Sequence, residues 1–239
     1  MQDEILERTG GEVIDQGLRE YMQKIYGYMA GGLLLTALSA YLVLNTALFN
    51  VFFSVSNEGV DLSVWGWVAL LAPFVLLIFA NRTINNGTKG QMQMMFWTFA
   101  ALEGIGLAPI CLLYTGASLT RVFLITACSF GGLCLWGYTT KRDLSGMGAF
   151  LRMGLIGLIV ALIVNLFMQS SAFDWCLSII GVGIFGGLTA YDTAMYRQVY
   201  HPADDSEMTA KKAISGALAL YLDFLNMFLY LLRLLGDRR

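Results

Sequence analysis

The last apolar stretch of the chain, residues 213–235, constrains the fold more than any other feature of the sequence. Its 23 residues would reach roughly 35 Å as an α-helix, which is enough to cross a bilayer. Asp223 lies near the middle of the stretch, with no Lys or Arg within nine residues of it. A lone carboxylate at that depth costs about 3 kcal/mol on insertion scales. We therefore expect this helix to turn Asp223 toward other protein or water, inside a bundle of helices.

The composition identifies the class of protein. The chain is 57% hydrophobic and only 13% charged, whereas a soluble domain carries about 25% charged residues. These values predict an integral membrane protein, and the lack of a basic stripe excludes a nucleic-acid-binding protein. The four cysteines lie in apolar segments without a CxxC pair, which favours small core residues over a disulfide framework or a zinc site.

Seven apolar stretches are each long enough to span a bilayer: 25–49, 62–80, 92–115, 119–138, 147–168, 173–195 and 213–235. They predict an all-α integral membrane protein in which residues 24–239 form a single seven-helix domain. Residues 1–23 are acidic and polar, unlike a signal peptide, and are predicted to be a cytoplasmic tail. Three successive hairpins followed by one unpaired polar helix favour six helices that surround a central seventh.

The distribution of basic residues predicts the orientation. Eleven of the 15 Lys and Arg residues fall on one side of the predicted spans, so the positive-inside rule places the amino terminus in the cytoplasm. The connections 81–90 and 141–146 are then cytoplasmic. The other four basic residues are Arg121, Arg233, Arg238 and Arg239. Because three of these lie at the carboxyl end, a re-entrant last helix with the tail inside is the alternative.

Two intramembrane aspartates are the strongest candidates for a functional site. Asp192 lies five residues before Arg197, about 7 Å from the cytoplasmic end of the sixth stretch. Asp223 lies about 15 Å into the seventh, and a slip of one turn in the start of that helix would bring the two level. Such carboxylates share a proton and titrate as a pair. The alternative is that Asp192 pairs separately with an interfacial Lys or Arg.

Glu103 is the third intramembrane acid, about 16 Å from the start of the third stretch. It is a candidate for the ion path, and the alternatives are a pair with Arg233 or a protonated group that is hydrogen-bonded within the bundle. Three further acids, Asp204, Asp205 and Glu207, precede the last helix. They lack the spacing of a calcium-binding EF-hand, so we predict that they cap that helix.

Two segments carry a resemblance to a known family: GVGIFGGLTAYDTAMYRQVY and, after a short loop, ALALYLDFLNMFLYLLRLLG. Together they resemble the signature of the Bax-inhibitor family, the transmembrane Bax inhibitor motif proteins. The most specific parts are residues 191–193 and 221–226. The length and the seven apolar stretches also match, so the resemblance covers nearly the whole chain.

The resemblance implies a fold and a function. It implies seven helices with the last at the centre, and a hydrogen-bonded pair formed by Asp192 and Asp223 that senses pH and gates a calcium leak. It further implies an arginine latch that holds this pair in the closed state, and the matching residue is Arg82. An ordinary positive-inside anchor is the alternative role for Arg82. Calcium is then the transported ion, weakly bound by Asp192 and Asp223, with no other cofactor and no enzymatic activity.

Two other functions compete with a leak channel. One is a regulatory binding protein of a membrane protease or of a cell-death partner, with the acidic tail as its docking segment. The other is an intramembrane aspartyl protease, which needs a Gly-x-Gly-Asp turn that is absent before Asp223. The short connections predict a bacterial inner membrane as the location, and a eukaryotic endomembrane is the alternative.

Overall fold

A computed structural model describes residues 2–56 and 59–239, with side chains within 16–54, 61–80, 83–84 and 87–239. Helices account for nearly all of the chain, which confirms the all-α class. In chain order the elements are α1 (Gln2–Asn45), α2 (Phe49–Phe52), β1 (Phe53–Ser56), β2 (Gly59–Leu62), α3 (Val64–Asn86), α4 (Lys89–Leu113), α5 (Gly116–Thr139), α6 (Ser145–Met168), α7 (Ser171–Val199) and α8 (Ser206–Leu235).

Within the described residues, six helices are long and apolar enough to cross a membrane: Gln16–Asn45 of α1, and α4, α5, α6, α7 and α8. The second predicted span corresponds to α3, whose apolar part, Val64–Ala80, is shorter than the others. Seventeen residues reach only about 26 Å, against about 30 Å for a hydrocarbon core. The structure thus supports a membrane-spanning helical protein, and the count of seven crossings stays a prediction.

Two features of the amino-terminal half differ from the expected pattern. The backbone of α1 begins at Gln2, so the predicted acidic tail, residues 1–23, continues directly into the first spanning helix. The side chains of residues 1–15 lie outside the described ones. Between α2 and α3 the chain forms a short antiparallel hairpin, in which Phe53 of β1 pairs with Leu62 of β2. The apolar pattern did not predict these two four-residue strands.

The start of α8 is fixed by the acids that precede it. The Asp205 side chain accepts a hydrogen bond from the Met208 amide at 2.6 Å, so the predicted capping role is confirmed for this residue. Asp204 instead forms an ion pair with Lys212 at 2.5 Å. The Asp205 contact satisfies one backbone donor of the first turn, and the Asp204 ion pair ties the preceding loop to the second turn of the helix. As a result, α8 begins at Ser206, seven residues before the apolar stretch that predicted it.

The chain divides into two compact units. The first comprises Met1–Ala108 and Tyr196–Leu218, and the second comprises Pro109–Met195 and Ala219–Arg239. The first unit contains a buried apolar cluster of Val43, Phe53 and Ala108. The second contains a corresponding cluster of Tyr114, Val122 and Leu232. The second unit also contains Asp192 and Asp223, and is therefore the unit that holds the candidate site.

The last helix is the most enclosed of the candidate spans. Half of the 18 residues in the most apolar stretch of α8 are buried, compared with 17% of those in the corresponding stretch of α6. This burial fits a helix that keeps a carboxylate away from lipid, as the sequence predicted. The placement of α8 at the centre of six surrounding helices stays a prediction.

Glycines let the helices of the second unit approach α7 closely. A Cβ at Gly137 of α5 would overlap the backbone carbonyl oxygen of Ala190. A Cβ at Gly148 of α6 would overlap the ring of Tyr191. Both contacts lie immediately beside Asp192 in α7, so these two glycines set the packing around that residue.

We expect Gly137→Ala to lower the midpoint of thermal unfolding in detergent by several degrees. The added methyl group meets backbone rather than a flexible side chain, and overpacking of this kind costs about 1–3 kcal/mol. Gly132→Ala is the matched control, because it lies in the same helix and a Cβ there has no neighbour within 4 Å. Equal midpoints for the two variants would contradict the close contact between α5 and α7.

Candidate site at the paired aspartates

Asp223 lies in α8 next to a residue that packs firmly against α5. The next residue, Phe224, packs edge-to-face against Phe123 and Phe130 of α5, with ring centroids 5.5 and 5.3 Å away. Asp223 itself is only 4% exposed, and its Oδ2 atom has no hydrogen-bond partner among the described residues. A buried polar atom without a partner is costly. Asp223 is therefore a residue that the fold keeps at a cost in stability.

The threonines near Asp192 in α7 are already hydrogen-bonded to the helix backbone. Thr189 and Thr193 are fully buried, and each donates its hydroxyl to a backbone carbonyl one turn earlier, at 2.8 and 2.7 Å. Neither hydroxyl proton is therefore available for a hydrogen bond to the half-buried Asp192. Asp192 interacts electrostatically with Asp223, so the structure brings the two aspartates together within the second unit. No hydrogen bond joins them within the described residues.

Arg152 of α6 is a neighbour of this pair that the sequence analysis missed. Its Nε donates to the Gly148 carbonyl at 3.2 Å, and its guanidinium lies 5.5 Å from the centroid of the Tyr191 ring. Its Nη2 lies 3.5 Å from the Tyr191 hydroxyl. This position gives Arg152 an electrostatic interaction with Asp192. The site is thus two carboxylates and one exposed arginine held on the ring of Tyr191.

The sequence analysis allowed Asp192 an interfacial Lys or Arg as a partner, but it did not single out Arg152, whose charge counted only toward the orientation. Its approach to Asp192 depends on the packing of α6 on α7. That packing in turn depends on the absence of a side chain at Gly148. A hydrophobicity pattern predicts helices but not which faces of them meet.

Among the other predicted site residues, Glu103 and Arg233 have described side chains and Arg82 does not. The side chain of Arg82, the predicted latch, lies outside the described ones, so its role stays a prediction. Glu103 is half-buried in α4 and makes no ion pair or hydrogen bond with a described residue. Arg233, considered above as a partner of Glu103, forms an ion pair with Asp174 at 3.5 Å.

The chemistry available to the pair suits transient binding of a cation. Two carboxylates offer four oxygens, whereas Ca²⁺ takes six to eight oxygen ligands. Within the described part of the chain, no group of three or more His, Cys, Asp or Glu residues could hold a metal ion. The two carboxylates alone would therefore leave a bound calcium ion short of ligands.

Comparison with known proteins gives similarity over almost the whole chain. A family model described as "Inhibitor of apoptosis-promoting Bax1" matches residues 18–239. The inner membrane protein YbhL of Escherichia coli strain K12 is 42% identical over 226 residues, covering 93% of this chain and 94% of that protein. The uncharacterized protein RP147 of Rickettsia prowazekii is 40% identical over 229 residues, covering 95% of this chain and 94% of that protein. The region matched by the family model includes both aspartates.

Proposed function

Because the chain belongs to the Bax-inhibitor family of membrane proteins, we propose that it is a pH-sensitive calcium leak channel gated by Asp192 and Asp223. The observation that carries the proposal is that these two carboxyl groups of the second unit lie close enough for their charges to interact, with Asp223 almost wholly buried. Membrane-embedded acids at such a site are costly, and they mark ion pathways and proton relays.

Protonation of the pair changes two properties at once. Ionised, the pair supplies the negative charge and oxygen ligands that a hard cation prefers. Protonated, it loses this attraction and also releases any arginine that competes with calcium for it. An arginine keeps its charge over this pH range, so the change in protonation takes place on the carboxyl groups. The two effects act on flux in opposite directions, and their balance sets whether acid opens or closes the leak.

Liposomes that contain the purified protein test the proposal. They are loaded with calcium, and its release is followed with an impermeant dye between about pH 5 and 8, the range expected for coupled buried carboxyl groups. We expect release that exceeds that of protein-free liposomes and that changes with pH. Release equal to the protein-free rate at every pH would overturn the proposed leak.

Arg82→Ala tests the latch. If Arg82 binds the ionised pair in the closed state, removal of the arginine should raise calcium release. The effect should be greatest near neutral pH, where the pair carries most negative charge and would bind Arg82 most strongly. Lys89→Ala is the matched control, since it removes a positive charge from the same predicted cytoplasmic connection. A rate unchanged from wild type in Arg82→Ala, or raised equally in both variants, would leave Arg82 as an orientation anchor.

The name of the Escherichia coli relative, an inner membrane protein, supports the same location for this chain. We propose the bacterial inner membrane, with the amino terminus in the cytoplasm as the positive-inside rule predicts. Reporter fusions at the 81–90 and 141–146 connections test this orientation. Reporter activity on the opposite side of the membrane would overturn this orientation, and with it the side assigned to the gate.

A further inference from the structure

The second unit contains a cavity that the paired aspartates do not use. It has a volume of about 580 Å³ and lies where α6 ends, α7 begins and α8 ends. A second cavity of about 410 Å³ adjoins it, because Asn165, Asp174, Arg233 and Arg238 line both. We call the two together the carboxyl-end cavity. It lies at the opposite end of α6 from Arg152, and at the opposite end of α7 from Asp192.

The carboxyl-end cavity is polar at one end and apolar at the other. Its larger part is lined mainly by aliphatic side chains of α6 and α8, among them Ile159, Leu162 and Leu229. Its smaller part is lined by polar groups at the helix ends, including Gln169 and Ser170. The ends of spanning helices lie at the depth of lipid headgroups, and their interiors lie at the depth of acyl chains. The polarity of the cavity therefore follows that of the bilayer.

The polar part of the cavity carries a net positive charge. Arg233 is offset by Asp174 at 3.5 Å, and Asp237 is engaged by Arg121 at 2.9 Å. Arg238 forms no ion pair with any described residue. One guanidinium thus faces the cavity without an anionic partner, and a guanidinium is well suited to bind a phosphate with two hydrogen bonds.

The fold holds Arg238 in this position. Its backbone forms a bridge with Tyr114, and the next amide, that of Arg239, donates to the Leu113 carbonyl at 2.9 Å. The guanidinium of Arg238 lies 5.9 Å from the centroid of the Tyr114 ring, which is only 4% exposed. The carboxyl-terminal residues are therefore anchored to the α4–α5 connection, and Arg238 is a positioned cation rather than part of a loose tail.

The side chain of Asn165 provides a hydrogen-bond acceptor in the cavity. Its Oδ1 atom is buried and has no hydrogen-bond partner among the described residues, although the residue lines both parts of the cavity. A buried amide oxygen is an acceptor that costs free energy when it is left unpaired. A ligand hydroxyl at this position would satisfy it.

We propose that the carboxyl-end cavity binds an anionic glycerophospholipid whose headgroup carries a hydroxyl, with its phosphate on Arg238. The hydroxyl donates to Asn165, and an acyl chain lies along the aliphatic wall of α6 and α8. Trp175, which lines the polar part and is 58% exposed, lies at the interface where tryptophan prefers to be. This site is independent of the proposed calcium leak.

Stabilisation by added lipid tests the site, since a ligand that binds only the folded protein raises the unfolding midpoint. The full chain is purified in a neutral detergent, and dioleoyl phosphatidylglycerol is compared with dioleoyl phosphatidylcholine. We expect phosphatidylglycerol to raise the midpoint further, and Arg238→Gln to weaken its apparent affinity about tenfold. Arg239→Gln is the matched control, because the neighbouring arginine lines neither part of the cavity, and it should keep the wild-type affinity.

A second pair of variants tests the apolar part. Ile163→Trp fills the cavity, whereas Ile156→Trp places the same ring on the same helix outside it. Only Ile163→Trp should reduce the shift caused by phosphatidylglycerol. Each shift is measured against the same variant without lipid, so an altered stability does not obscure the result. Equal lipid shifts in Arg238→Gln and Arg239→Gln would overturn the proposal, as would an equal shift with glycerol phosphate or oleate.

Discussion

Asp223→Asn is expected to remove most of the pH dependence of calcium release between about pH 5 and 8. Asparagine keeps the size of the side chain and its capacity for hydrogen bonding, but it has neither a charge nor a proton to lose. The aspartate is only 4% exposed and lies close enough to Asp192 for their charges to interact, and interacting carboxyl groups are expected to titrate as a pair. In the variant, the ratio of release rates at the two ends of this pH range should fall to about one.

The control for this change is Asp143→Asn in the α5–α6 connection, which alters the same chemical group on an exposed residue. A hydrogen bond from the side chain of Ser145, together with one from its amide, lowers the pKa of Asp143. Asp143 therefore stays ionised from pH 5 to 8 and contributes no titration in that range. Asp143→Asn should keep the wild-type pH profile. A flattened profile in this variant would show that any loss of a carboxylate has the effect assigned to Asp223.

Arg152→Gln is expected to move the midpoint of the pH response upward. A nearby positive charge favours the ionised form of a carboxyl group. Without Arg152, the aspartate pair takes up its proton at a higher pH. The expected shift lies below the full effect of a buried ion pair, because Arg152 is exposed and solvent screens its charge. The measurement is the same release assay in finer pH steps.

Two variants separate the charge of Arg152 from its packing. Arg152→Lys keeps the charge, and its midpoint should lie near that of wild type. Arg142→Gln removes an exposed positive charge from the neighbouring connection, and it should leave the midpoint unchanged. A shift in Arg142→Gln as large as that in Arg152→Gln would assign the effect to net charge rather than to the contact with Asp192.

The sequence predicted the helices well, because long apolar runs in a membrane protein have few alternatives to a helix. Helix ends were predicted less well where contacts distant in sequence fix them. The apolar stretch of the last helix starts at residue 213, yet α8 begins at Ser206. Lys211 is 7% exposed and donates to the Gly87 carbonyl at 3.1 Å. A buried lysine satisfied by a distant carbonyl has no signature in hydropathy.

The residues of the candidate site also differ in how well the sequence predicted them. Asp192 and Asp223 were identified from the sequence, because a carboxylate in an apolar stretch is conspicuous and costly. Arg152 was not, since an arginine at the end of a helix resembles any other interfacial basic residue. Only the packing of α6 on α7 at Gly148 distinguishes it. The ion pair between Asp174 and Arg233 was missed for the same reason, because it joins two helix ends that are far apart in the chain.

The central claim is that Asp192 and Asp223 act as one proton-sensing gate, and a double-mutant comparison of calcium release tests it most directly. Wild type, Asp192→Asn, Asp223→Asn and the double variant are reconstituted at equal density, and their folding is checked by their unfolding midpoints. If the carboxyl groups act as a pair, either single change should flatten the pH profile and the double change should add little to it. Folded single variants that both keep the wild-type pH profile would contradict the two-carboxylate gate.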